Sequence, residues 1–258
     1  YVFNHPNAVA GVIIFILPFL MFNKFFNIYV KVIIFAINIM AIFITESRGV
    51  IIALSVMCVF FMCSNKQVII MTIKKNIAKS IMLISVILMS ITMTLLFMPN
   101  NKLFHRFNQI IKYHDSMIIN HVGGDRIVLW ESSLQMIKDN PLGIGLKNFN
   151  KVYNEGGYVS VYARERWLES PHNIFLHIFV ETGILGGILF ILLLLCQVKW
   201  LWKYKDNQFT LAYLYVIIGM CIHGLFDYNF LVRVYYQLYW FICGLIWINC
   251  NAKDEIHK

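Results

Sequence analysis

The sequence predicts an all-α integral membrane protein with about seven transmembrane helices and one large outer loop. Three observations carry this. The chain is 59% hydrophobic and only 14% charged, with a mean hydropathy of +0.68, whereas about a quarter of a soluble domain is charged. Its apolar residues gather into runs of spanning length. Most of its lysines collect on alternate connections between those runs.

The runs cover residues 7–23, 27–45, 48–64, 80–98, 172–198, 209–226 and 234–250. They are continuous rather than alternating, which excludes a transmembrane β-barrel. The chain divides accordingly: four helices in 1–98, an outer loop over 99–170, then three helices and a short tail in 171–258. It opens at Tyr1 without a basic leader, so the first helix is not a signal peptide. The sequence reads as the C-terminal part of a longer membrane protein.

Orientation follows from the lysines. Lys24 and Lys31 lie between helices one and two, and Lys66, Lys74, Lys75 and Lys79 between three and four. Lys199, Lys203 and Lys205 lie between five and six, with Lys253 and Lys258 in the tail. That face is cytoplasmic by the positive-inside rule. The net charge of +9 is therefore a topology signal, not a nucleic-acid footprint. The arginines do the opposite. Arg48, Arg106, Arg126, Arg164, Arg166 and Arg233 all fall on the outer side. Topology gives no reason for that placement. A planar guanidinium grips phosphate or carboxylate bidentately, which lysine cannot do.

Helix one starts at Pro6-Asn7 and contains Pro18, a residue that kinks helices. Helices two and three meet at Thr45-Glu46-Ser47-Arg48-Gly49, a connection so short that Glu46 and Arg48 sit at the outer interface. Helix four stops at Pro99-Asn100. In the loop, His105, His114, His121 and Asp115 match no metal-ligand spacing. The cysteines show no CxxC pattern. These spacings point to no metal site.

Asp125 is a suitable N-cap for a short amphipathic helix near 126–138. Ile127, Trp130, Leu134 and Ile137 recur at helical spacing as its apolar stripe. Arg126 lies in its first turn. Asn140-Pro141 ends it, and Gly143 and Gly145 permit close backbone approach. Arg164 and Arg166 follow, beside Tyr162 and Trp167, a composition that suits a sugar or phosphate face.

The fifth spanning helix opens at Ser170-Pro171-His172-Asn173. Ser170 reads as its N-cap and Pro171 as its first residue, placing His172 second. There the helix dipole disfavours imidazolium and leaves a ring able to accept a proton. His177 and Glu181 are i,i+4 neighbours further along. Gly183, Gly186 and Gly187 offer a close-packing face. Helices six and seven are joined through HGLFDYNFLVR. There His223 and Asp227, with Arg233 beyond, form another polar cluster at the outer face that reads as support rather than chemistry.

These motifs resemble the bacterial O-antigen ligase and polymerase superfamily. The likeness rests on His172-Asn173 followed at fixed spacing by Gly183 and Gly186, on the upstream PLGIG run, on ESRG at 46–49, on HGLFDYNF and on the opening HPNAVAG. The resemblance implies a GT-C-like membrane glycosyltransferase in the bacterial inner membrane, with its active site on the periplasmic face. It implies a glycan donor on undecaprenyl diphosphate, with no nucleotide, metal or other cofactor. The His172-Asn173 and glycine pattern favours an O-antigen ligase, whose acceptor is a sugar hydroxyl of the lipid A core. His172 is then expected to be the general base, Arg48 and Arg126 the diphosphate clamps, and Arg164, Arg166 and Asn173 substrate contacts. A repeat-unit polymerase and a protein O-oligosaccharyltransferase are rivals within the superfamily. A lipid-linked sugar transporter is the rival outside it. Transporters bind near the bilayer midplane, whereas these polar groups cluster at the outer boundary.

Overall fold

The computed structural model describes residues 6–22, 25–45, 47–64, 126–161, 163, 168–228 and 233–256. Every regular element among them is helical. They are α1 (Pro6–Phe22), α2 (Ile28–Ile44), α3 (Arg48–Ser64), α4 (Arg126–Asp139), α5 (Phe149–Glu155), α6 (Ile174–Lys203), α7 (Gln208–Gly224) and α8 (Arg233–Ile256). Six of the seven expected spans fall on these helices. The run at 80–98 and the loop histidines lie outside the described residues, as do Asp125, Arg164 and Arg166.

α6 is long and apolar enough to cross a membrane. α1, α2, α3 and α7 have 17 residues each. At about 1.5 Å per residue that is about 25 Å, the lower end of spanning length.

The chain forms two compact units. One comprises residues 1–101, 201–223 and 234–258. Its core joins Ile14 and Phe15 of α1, Val50 and Met57 of α3, Tyr213 and Val216 of α7, and Tyr239 of α8. A Cβ on Gly219 would lie 2.7 Å from Ile14 and would also meet the Met57 sulfur, so glycine is what lets α7 approach α1 and α3. The Tyr213 hydroxyl donates to the Tyr239 carbonyl at 2.8 Å, tying α7 to α8.

The second unit comprises residues 102–200 and 224–233. Its core is Leu129, Met136, Phe149, Tyr153 and Val180, with Trp130, Ile137 and Ile144 packed around it. The expected stripe on α4 is corrected here. Ile127 and Leu134 are exposed, while Leu129, Ser132, Ser133 and Met136 form the buried face. Two serines lie there because each hydroxyl is satisfied. Ser132 donates to the Tyr158 carbonyl at 2.7 Å, and Ser133 donates to the Leu129 carbonyl at 2.7 Å. A bonded hydroxyl is small and inexpensive to bury.

The expected glycine face of α6 is also corrected. Gly183 takes φ 76 and ψ −178, which breaks the helix. In an unbroken helix the Ile184 N–H would bond to the Val180 carbonyl. Instead Ile184 donates to the Pro141 carbonyl at 2.9 Å. The Val180 and Glu181 carbonyls accept from Ile144 N–H and Gly145 N–H, each at 3.0 Å. The PLGIG loop thus takes up the groups that the break releases. Gly143 has φ 89, and a Cβ there would lie 2.5 Å from the Glu181 carbonyl oxygen. A Cβ on Gly183 would lie 2.6 Å from the Pro141 carbonyl oxygen. Gly186 and Gly187 accommodate Thr182 and Phe179 of their own helix.

Gly143→Ala and Gly183→Ala should each cost about 3 kcal/mol or more, because a positive φ and a backbone clash coincide. Both act on one interlock, so the double variant should lose far less than the sum. Thermal unfolding of the detergent-solubilised full-length protein reads this, and additive losses would show that the two glycines serve separate features.

Candidate active site

The site grows from α4. Arg126 and Trp130 stand one turn apart, and each reaches a different segment. The Arg126 Nε–H donates to the Phe226 carbonyl at 3.0 Å, just after α7. The Trp130 indole N–H donates to the Pro171 carbonyl at 3.1 Å, just before α6. The Trp130 and Phe226 rings lie 6.5 Å apart. A Cβ on Gly224 would lie 2.6 Å from Ile174, so glycine lets the turn after α7 close onto the start of α6.

That start differs from the expected one. α6 begins at Ile174, and its cap is Asn173. The Asn173 Oδ1 accepts from Leu176 N–H at 3.1 Å, and its carbonyl accepts from His177 N–H at 2.9 Å. Ser170 is one turn too early, and its hydroxyl oxygen instead accepts from His172 N–H at 3.4 Å. His172 therefore lies outside the helix, in a left-handed conformation with φ 51. A non-glycine residue there is uncommon and is held by its surroundings.

Those surroundings are the 224–228 turn. The His172 Nδ1 lies 3.8 Å from the Asp227 carboxylate. This is ion-pair reach rather than a hydrogen bond. The Asp227 side chain is 4% exposed and the His172 side chain 25%. Nδ1 itself is buried, so the accessible part of the ring lies on its other atoms. The Tyr228 ring is 5.9 Å from the His172 ring, and Tyr228 N–H donates to Asp227 Oδ1 at 2.8 Å.

The electrostatics run through Asp227. Burial pushes the Arg126 pKa down, and the Asp227 charge opposes it. Arginine stays protonated regardless. Burial pushes the Tyr228 hydroxyl up, helped by the negative charges of Glu169 and Asp227. A cation, an anion, a phenol and an imidazole thus share one half-buried place. Such a place can move a proton and hold an anionic group.

Of the expected site residues, the structure brings Arg126 and His172 to the same carboxylate. Asn173 is adjacent, yet its side-chain oxygen is engaged as a cap. Arg48 opens α3 in the other unit. The residue that sequence reasoning placed in support is Asp227, which faces His172 directly. Its signal was a lone acid in an otherwise aromatic turn, 55 positions away from the histidine.

The family model described as O-antigen ligase matches residues 33–191. The chain belongs to the O-antigen ligase family. The matched region contains Arg48, Arg126, His172, Asn173 and Gly183 and ends before Asp227. The chain is 24% identical over 144 residues to the ComP-specific O-oligosaccharyltransferase of Acinetobacter baylyi, covering 52% of this chain and 24% of that protein. It is 29% identical over 127 residues to a candidate polysaccharide ligase of Rickettsia felis, covering 48% of this chain and 30% of that one. The chain thus spans about a quarter to a third of the length of these relatives. No solved structure matches it.

If Asn173 is a cap, Asn173→Ala should lower stability by about 1 kcal/mol, and Asn173→Asp should largely restore it. Thermal unfolding and turnover per folded molecule, measured together, check this. A stable Asn173→Asp protein with lost turnover would instead make the residue a substrate contact.

Proposed function

We propose that this chain carries the catalytic centre of a glycosyltransferase of the inner membrane, working at its periplasmic face. The donor is a glycan on undecaprenyl diphosphate, and the acceptor is a sugar hydroxyl of the lipid A core. The observation that carries this reading is His172 held outside α6 against the buried Asp227, with Arg126 at the same carboxylate.

The step follows from those groups. Asp227 keeps a proton on Nδ1, leaving the His172 Nε2 lone pair to accept the acceptor's hydroxyl proton. The acceptor oxygen bonds to the anomeric carbon as the bond to the diphosphate oxygen breaks. The lipid diphosphate leaves with that electron pair. A single displacement inverts the anomeric carbon. Arg126 meets the negative charge that develops on the leaving group, and Arg164 and Arg166 hold the glycan or its phosphates. Preorganised cations at such a position are worth a few kcal/mol in the transition state.

A second reading has its own support. One similar protein is an O-oligosaccharyltransferase, which favours a protein hydroxyl as acceptor, with the same donor and the same base. A repeat-unit polymerase shares this chemistry too.

The test is surface glycan on lipopolysaccharide gels, in a strain lacking its own copy, with protein abundance matched. Wild type should restore a full ladder. His172→Ala should leave core-only lipid, since losing a general base slows transfer by about 10²–10⁴-fold. Core bearing a single repeat would make the protein a polymerase. An unchanged lipid profile with glycan missing from a protein would favour the second reading. A normal ladder from His172→Ala would remove the base from the mechanism.

A further inference from the structure

We infer that the Pro141–Lys147 loop is a membrane wedge, with Leu142 and Leu146 inserted into the outer edge of the bilayer's hydrocarbon. The inference rests on reading α6 as a spanning helix.

The break at Gly183 divides α6 into two parts with opposite surroundings. Before it, Ile174, His177, Val180 and Glu181 are buried within the protein. After it, Ile184, Leu185, Ile188 and Leu189 are exposed, Leu185 at 71%. A long apolar face left exposed among the described residues suits lipid. The part after the break runs from Ile184 to Lys203, and twenty residues at about 1.5 Å each make about 30 Å. That is the thickness of the hydrocarbon core. Lys199 and Lys203 mark its inner end, so Gly183 marks its outer end. His177 and Glu181 then stand outside the hydrocarbon, which explains how an ionisable pair is tolerated on this helix.

The loop is bonded to α6 at that level. Pro141 accepts from Ile184, and Ile144 and Gly145 donate to Val180 and Glu181. Leu142 is 93% exposed and Leu146 is 72% exposed, beside the exposed Ile184 and Leu185. In water, two leucines presented this way are unfavourable. At the bilayer boundary they continue the lipid-facing surface of α6. Irregular backbone is tolerated at that depth only when its polar groups are satisfied. α6 satisfies the Pro141 carbonyl and the Ile144 and Gly145 N–H groups. The loop reaches only the outer edge of the hydrocarbon, where the rest of its backbone meets hydrated headgroups. Lys147 follows Leu146 directly and can extend its amine to the headgroups. The occupant of this surface is therefore phospholipid. Its effect is to fix the height of the His172 turn relative to the headgroup plane, where a lipid diphosphate resides.

The experiment uses wild-type full-length protein in phosphatidylethanolamine–phosphatidylglycerol vesicles. A fraction of the phospholipid carries a diazirine on its acyl chain. After photolysis, adducts are mapped by mass spectrometry. Leu142 and Leu146 should be labelled at least about tenfold more than the Tyr153–Tyr158 segment, the ratio expected when one leucine leaves water for hydrocarbon. Labelling of Ile184–Leu195 without labelling of the loop would overturn the wedge. No labelling of either would overturn the spanning reading of α6 and the wedge with it. Labelling of both with an unaffected glycan ladder in His172→Ala would leave the wedge standing while the catalytic reading fell.

Discussion

The second unit depends on one backbone interlock. Breaking α6 at Gly183 releases two carbonyls and an N–H that a buried helix cannot leave unpaired without losing about 1–3 kcal/mol each. The Pro141–Gly145 stretch supplies the missing partners at 2.9–3.0 Å. Two glycines with positive φ make the approach possible, one on each side. The loop also ends α4 and leads into α5, so the same bonds hold α4, α5 and α6 around Val180 and Phe149.

The polar site inherits its geometry from that scaffold. With α4 fixed on α6, Arg126 and Trp130 are aimed at the carbonyls of Phe226 and Pro171. Those bonds bring the turns on either side to one place and set His172 against Asp227. A strained backbone at His172 and a buried carboxylate beside it both disfavour folding on their own. The guanidinium of Arg126 offsets the second. Strain and buried charge retained together at one accessible histidine mark a candidate functional site. In the proposed reaction, the same cation also faces the departing diphosphate.

Much of this was legible in the chain. Apolar runs located six of the described helices to within a few residues. PLGIG announced a close backbone approach, and Arg126 and His172 stood out by position and chemistry. The misses have physical causes. Ser170 and Asn173 are both competent caps, and spacing alone does not say which one the chain uses. On α4, Ile127 and Leu134 outrank Ser132 and Ser133 in hydropathy, but tertiary hydrogen bonds put the serines inside. Gly183 looks like a small packing residue in any helix, because a break is visible only with the loop that fills it. Asp227 is separated from His172 by α6 and α7, and no local period links them.

The central claim is that His172 and Asp227 act as one proton-accepting unit. A double-mutant cycle tests it most directly, using purified full-length protein, a lipid-diphosphate glycan donor and single-turnover transfer. His172→Ala, Asp227→Asn and the double variant are compared with wild type. The account predicts that the double variant is no slower than His172→Ala alone, within roughly threefold, because residues acting as a unit lose their effect together. Losses that multiply across the two substitutions would contradict it and assign Asp227 a role independent of the histidine.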